Sequence, residues 1–307
     1  DNKIFTYTSD SKLQMAESMA YNRQCMGMIG GVLAGYQPTA NRQKYAYDNP
    51  YTWGGHQEGF DLTGEEINYI RFYRDNFDYY KNIDAVADVA VLRAFPTMAY
   101  NNGRPYQSTY LMEQSLIQAH IPFDIIFDRH LKEMEKYKVL ILPDQEALSD
   151  QQLELIRGFV RQGGGLVATE HTSLYTETRR RRPDFGLSEL FKVDPPVWPA
   201  RGRGPEKILD IETVRRSFGR GRVAYIPEII PVKPKPSTSP MSAGYWHLPE
   251  NWNEIVSTVK WACGSTLSIE MNAPETVTME LVEQPSGGRM ILHLLNYNVK
   301  RTPVVSN

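Results

Sequence analysis

Two cysteines are all that the 307 residues contain, and Cys25 and Cys263 stand far apart. No Cys-x-x-Cys pair or Cys/His cluster exists, which excludes a disulfide scaffold and a zinc site of the usual spacing. Each cysteine lies in an apolar context and reads as a buried free thiol. An excess of charge of one sign is also missing. The chain has 34 Lys and Arg against 36 Asp and Glu, a net charge of -2. Neither nucleic acid nor an acidic membrane surface is therefore expected as a partner. No apolar run approaches the roughly 20 residues of a membrane-spanning helix. Gly-x-Gly occurs at Gly202 and Gly204 and again at Gly219 and Gly221, but neither pair opens a helix after a strand. That context fails the dinucleotide pattern, so no nicotinamide or flavin cofactor is expected. With no metal-ligand spacing, no metal is expected either. Hydrophobic residues at 41% and charged residues at 23% place the chain among globular proteins.

What is present is organised around residues 137–175. Val139–Leu142 is continuously apolar, as in a strand buried on both faces of a parallel sheet. Ser149 and Gln152 form a capping-box pattern. Leu153, Ile156, Phe159 and Val160 then recur at helical spacing. Gly163, Gly164 and Gly165 end that helix. Leu166–Thr169 is the next buried strand. The stretch reads as one βαβ unit with a right-handed crossover.

Before it, Lys3–Thr8 has strand composition, and Leu13, Ala16, Met19 and Ala20 make a helical stripe. Met26–Leu33 reads as a second strand, and residues 35–62 as a long polar and aromatic loop. Thr63 and Glu66 form another capping box, followed by Ile67, Ile70, Tyr73, Phe77 and Tyr80 at helical spacing. Residues 1–82 thus read as two β/α units. A parallel barrel needs eight, so these are expected to be the last two units of a larger barrel. A fresh sheet starts near Ala85. The pattern gives a strand over 86–95, a loop over 96–106, a helix over 107–119 and a strand over 123–127. A short helix near 185–191, a strand over 222–226 and a final helix from Trp252 to Cys263 follow. This order predicts a doubly wound parallel-sheet domain. Residues 267–271, 277–282 and 290–295 are strand-like and read as the start of a β-domain. The division predicted is 1–84, 85–264 and 265–307.

Four segments together resemble one known arrangement. They are Lys12–Tyr21, Tyr137–Asp144, the helix with Gly163–Thr169, and Arg289–Asn298. The arrangement is that of the glycoside hydrolase family 42 β-galactosidases. The resemblance implies a (β/α)8 barrel end, then a trimerisation domain with a flavodoxin-like, class I glutamine-amidotransferase-like fold, then a small β-domain. It also implies a carbohydrate substrate, O-glycosyl hydrolysis in the complete protein, and a homo-oligomer, a trimer. The other reading open at this point is a non-catalytic carbohydrate-binding or assembly protein of the same build.

Retaining glycosidases need two carboxyl groups about 5–5.5 Å apart. The resemblance places these at the ends of barrel strands four and seven, the first upstream of Asp1. The second would lie near Lys3–Thr8, where no Glu occurs and Asp10 is the nearest carboxylate. Asp10 is a weak catalytic candidate and reads more simply as a helix cap. The long loop belongs at the barrel mouth, where such folds place their sites. Trp53 offers a ring for a sugar to stack on, and His56, Glu58 and Tyr36 offer partners for hydroxyls. An ordered loop with packed aromatics is the plainer alternative. Amidotransferase chemistry needs a Cys on a strand–helix turn with a His partner. The turns at Asp144 and at Glu170-His171-Thr172 contain no Cys. The Arg179–Arg182 run reads as a solvated loop or as a partner for acidic groups across an interface. Localisation stays open.

Overall fold

The computed structural model describes residues 11–21, 64–101, 103–197, 208–232 and 247–298. The chain forms two compact units, one of Asp1–Ala85 with Thr276–Asn307 and the other Val86–Glu275.

In the first unit, α1 (Ser11–Tyr21) packs against α2 (Gly64–Asp75). Met15 and Met19 meet Tyr80, with Ala16, Tyr69, Ile70 and Tyr73 around them. Of the helical stripe expected from Leu13, Ala16, Met19 and Ala20, all are buried except Ala16, which is half-buried. A hairpin of β8 (Val277–Gln284) and β9 (Arg289–Asn296) turns at Pro285–Gly287. Its third strand is β1, only Asp84–Ala85, antiparallel to β8. Residues 267–271 do not join this sheet. Ser268 instead donates its backbone N–H and hydroxyl to Asp88, at 2.6 and 2.8 Å. The segment is thereby tied to the base of the second unit.

That second unit is built on a six-stranded sheet. Its strands are β2 (Val89–Leu92), β3 (Phe123–Ile126), β4 (Val139–Leu142), β5 (Gly165–Thr169), β6 (Val214–Phe218) and β7 (Gly221–Ile226). The order is β3-β2-β4-β5-β7-β6, all parallel except β6, which runs antiparallel to β7. β2, β4 and β5 are buried along their whole lengths, as continuous apolar strands covered on both faces must be. Along β4, Leu140 and Leu142 face one core layer while Val139 and Ile141 face the other. The first layer contains α5 (Asp150–Gln162) through Leu153, Ile156, Phe159 and Val160. The second contains α4 (Arg104–Gln118) through Leu111, Met112 and Leu116, and α7 (Trp252–Cys263) through Ile255 and Val259. A short helix, α3 (Phe95–Tyr100), follows β2, and α6 (Ser188–Phe191) follows β5.

The cap of α5 is reciprocal. Gln152 N–H donates to Ser149 Oγ at 3.2 Å, and Ser149 N–H donates to Gln152 Oε1 at 2.7 Å. Gly163 closes the helix at φ 124°, a backbone angle that glycine takes without a Cβ clash. Ser149→Ala removes one acceptor for a helix-end N–H, and should lower stability by about 1 kcal/mol. A urea-denaturation midpoint unchanged from the parent would contradict this.

Candidate functional site

β2 connects to β3 on one side of the sheet, and the chain then returns to place β4 on the other side of β2. The carboxyl ends of β2 and β4 therefore flank a topological switch point, where open α/β sheets place their ligands. A dense polar cluster lies there.

Its frame is a pair of strand-end turns. Asp144 and Glu170 follow β4 and β5 with φ of 48° and 50°. Left-handed backbone at a non-glycine residue costs about 1–3 kcal/mol and persists only where the surroundings fix it. Here they do. Asp144 N–H donates to Thr169 Oγ1 at 2.8 Å, and His171 N–H donates to Asp144 Oδ1 at 2.9 Å. Glu170 N–H donates to Ile226 O at 3.1 Å, and Tyr225 OH donates to Glu170 O at 2.5 Å. Gln145 N–H donates to Thr172 Oγ1 at 3.1 Å, and Gln145 Oε1 accepts from Ala94 N–H at 2.8 Å. Each turn is held by the other.

Side chains fill the space between. Arg104, at the start of α4, donates Nε–H to Asp144 Oδ2 at 3.2 Å and bonds His171 Nδ1 through Nη2. Glu146 accepts from Asn101 Nδ2 at 3.0 Å and from Arg179 Nη1 at 2.9 Å. The Arg179 guanidinium also lies over the Tyr175 ring, 5.0 Å from its centroid. Glu170 accepts from Ser108 Oγ at 2.7 Å, Thr169 Oγ1 at 2.5 Å and Ile229 N–H at 3.3 Å. Burial pushes the Asp144 carboxyl well above the usual carboxylate range; Glu170 repels its charge further, and Arg104 offsets only part. Glu170 is also raised by burial, held back by the Thr169 and Ser108 hydroxyls and by Arg104.

Two chemistries can be tested on this geometry. One oxygen of Asp144, one of Glu146 and one nitrogen of His171 lie within 4.8 Å of one another, a donor set that suits a divalent cation. Protein cations already engage all three: Arg104 bonds Asp144 and His171, and Arg179 bonds Glu146. The cluster is thus internally satisfied. Acyl transfer by an amidotransferase-type nucleophile fails on identity. The two strand-end turns present Asp144 and Glu170, and Cys263 lies at the far end of the sheet, beside the first residue of β5.

The strand-end position of Glu170 and His171 was legible in the sequence. Arg104, Glu146 and Gln145 were not singled out by it. The Asn-Asn-Gly-Arg-Pro stretch reads as loop, and only the fold brings its arginine under β4 and β5. The Arg179–Arg182 run is mostly engaged rather than solvated. Arg181 donates to Pro196 O at 2.6 Å, and Arg182 donates to Leu148 O at 3.0 Å and pairs with Asp150 at 2.7 Å. The sequence candidates Asp10, Tyr36, Trp53, His56 and Glu58, and Cys25 with them, lie outside the described residues. Among the described residues no helix is long and apolar enough to cross a membrane.

The family model for the beta-galactosidase trimerisation domain matches residues 110–193, from α4 through α6. No curated protein matches the chain. Among solved structures, the β-galactosidase from Rahnella sp. R3 is similar at 17% identity and TM-score 0.57, over 78% of this chain and 40% of that one. The β-galactosidase from Bacillus circulans sp. alkalophilus is similar at 15% identity and TM-score 0.54, over 80% and 40%. A catalytic mutant of Gan42B, a GH42 β-galactosidase from G. stearothermophilus, is similar at 16% identity and TM-score 0.52, over 72% and 36%. The chain spans at most 40% of the length of these three proteins. In fold it resembles the glycoside hydrolase family 42 β-galactosidases over about three quarters of its residues, and residues 110–193 carry the match to their trimerisation domain.

Proposed function

We propose that this chain is the C-terminal portion of a β-galactosidase-type glycoside hydrolase. In the complete protein it takes part in hydrolysing glycosidic bonds, and its parallel-sheet unit mediates self-association as a trimer. The observation that carries the reading is the trimerisation-domain match over residues 110–193. The strand-end cluster fits an assembly role for that unit, because its carboxyl groups are bonded within the protein and neither turn carries a cysteine. In this reading residues 1–84 supply the last two β/α units of a barrel and residues 85–264 the trimerisation domain. Residues 265–307 begin a small β-domain. Trp53, His56, Glu58 and Tyr36 contact the sugar. Asp10 is the one catalytic candidate within the chain, and the acid/base lies upstream.

The test uses the complete protein. It should run as a trimer in light scattering and cleave an aryl β-galactoside. Trp53→Ala should raise KM about tenfold, as expected when one aromatic contact worth about 1–1.5 kcal/mol is lost, and leave the trimer intact. A monomeric protein without glycosidase activity would overturn the reading. Activity with an unchanged KM in the variant would remove Trp53 from the site alone.

A further inference from the structure

We infer that the carboxyl-end rim of the parallel-sheet unit is the face by which one copy of this chain docks on the next, with Phe95, Tyr100 and Phe127 as its anchors. This rests on the proposal that the unit self-associates, and it adds which surface does so.

The exposed apolar side chains of this unit are unevenly placed. Phe95 and Tyr100 lie on α3, after β2, and Phe127 directly follows β3; they are 72%, 53% and 48% exposed. Ile230 and Val232 follow β7 and are exposed as well. Exposed Ile211 precedes β6, whose first residue pairs with Tyr225 near the end of β7. All six therefore lie at the carboxyl end of the parallel strands. Val197, the remaining exposed one, lies in the connection after α6. The amino end instead exposes Lys136, Arg161, Arg220 and Arg222. Among the described residues no large apolar side chain is exposed there. Apolar surface gathered at one end marks an interaction site, whereas singly scattered residues would show no preference for an end.

The anchors are held in place before any partner arrives. Ala94 N–H donates to Gln145 Oε1 and Phe95 N–H to Asp128 Oδ2, each at 2.8 Å. Phe127 N–H donates to His130 Nδ1 at 3.0 Å. Asn101, next to Tyr100, donates from Nδ2 to Glu146 at 3.0 Å. A preordered backbone lowers the entropy that association costs, and aromatic side chains so presented are enriched among interface anchors.

What covers the rim follows from its centre and its area. At the centre Asp144, Glu146, Glu170 and His171 are each at most 4% exposed, and all four are bonded within the protein. A small polar ligand would have to displace those bonds, while a protein face can lie over them. The three aromatic residues leave on the order of 350 Å² in water, at about 200 Å² for a whole aromatic side chain. One side of a standard interface buries about 800 Å², rather more than half of it apolar. With Ile211, Ile230 and Val232 added, the rim holds about the apolar area that one such face requires. The trimerisation-domain match includes Phe127 and the strand ends at Asp144 and Glu170, which favours a second copy over an unrelated protein. A three-fold ring joins two different surfaces of each copy, so the rim meets another part of its neighbour.

The experiment follows assembly of the complete protein by light scattering across a dilution series. It compares wild type, Phe95→Ser with Phe127→Ser, and Phe72→Ser with Met290→Ser. The last pair removes two comparably exposed apolar residues from the other unit. The rim pair should raise the concentration for half-assembly at least about a hundredfold, as expected when two anchors are lost, and the control pair should leave it unchanged. Normal assembly of the rim variant would overturn the inference and leave self-association standing. A wild-type protein that stays monomeric would overturn both. An equal loss in both pairs would assign the effect to apolar surface in general, and the rim would have no special part. Hydrogen exchange on wild type needs no variant that folds. Amides of 94–101 and 127–130 should gain protection when the protein assembles, and unchanged exchange there would sink the inference. Protection of the same amides by a β-galactoside in the unassembled protein would give the rim to a sugar instead.

Discussion

Replacing Arg93 by methionine should cost about 3–5 kcal/mol, the range for leaving one partner of a buried ion pair unpaired. Arg93 follows β2 and makes a bidentate pair with Glu113 on α4, Nε to Oε1 at 2.8 Å and Nη2 to Oε2 at 2.5 Å. Their side chains are 19% and 8% exposed. The guanidinium also lies over the Tyr110 ring, 4.9 Å from its centroid. Methionine keeps the stem and removes the charge, so the loss reports on Glu113 left alone. Burial already raises the Glu113 carboxyl above its ordinary value, and Arg93 pulls it back only in part. Without Arg93 it rises further. An acid raised on folding loses stability as pH climbs above its unfolded value of about 4.3. The deficit of Arg93→Met should therefore be small near pH 4.5 and largest at pH 8. Arg93→Met with Glu113→Leu should recover most of it, because no buried charge then remains. Urea unfolding at the two pH values reads both expectations. An equal deficit at both would mean that Glu113 is solvated and that the pair contributes little.

The sheet was readable because its strands are buried on both faces. Val139–Leu142 and Leu166–Thr169 are apolar without interruption, and no amphipathic alternative competes for them. The capping box at Ser149 was readable because its chemistry is local. What the sequence hid depends on partners distant in the chain. β6 reads Val-Arg-Arg-Ser-Phe and alternates intermediate with exposed residues, so an edge strand with two arginines gives little apolar signal. α3 and α4 were shortened or lost because Pro96 and Pro105 read as breakers. Both sit in first turns, where proline costs no helix hydrogen bond. Leu267–Met271 has strand composition, yet Asp88 captures Ser268 instead. The strand that does pair with β8 is two residues long, too short for any periodicity.

The site divides the same way. A Pro-Asp and a Thr-Glu-His after apolar runs mark two strand ends, and the cluster forms there. Parallel pairing of β4 with β5 brings the two ends together, which no spacing along the chain states. Arg104 arrives from 40 residues upstream of Asp144, carried by a helix whose start looked like loop. Trp53, His56, Glu58, Tyr36 and Asp10 rest on a different argument, the barrel mouth, and belong to the proposal for the complete protein.

Gly165→Ala should cost about 3 kcal/mol, although it adds a single methyl group. Gly165 opens β5 where α7 crosses the sheet. A Cβ built there would lie 2.3 Å from Ala262 O, 2.8 Å from Ala262 C and 3.2 Å from a methyl of Val139. The first two are backbone atoms, so no rotamer change relieves the clash. α7 must move off the sheet, and with it Ile255 and Val259, which are fully buried against it. Overpacking of this kind costs about 1–3 kcal/mol, and a backbone obstruction belongs at the upper end. Gly158→Ala is the matched control. Gly158 lies within α5, and a Cβ there meets nothing within 4 Å. The same added methyl should stabilise by about 0.5–1 kcal/mol, through helix propensity alone. Opposite signs for one chemical change would locate the cost in the contact between α7 and β5. If both variants shifted the urea midpoint the same way, the close approach of Ala262 would not be what limits residue 165 to glycine.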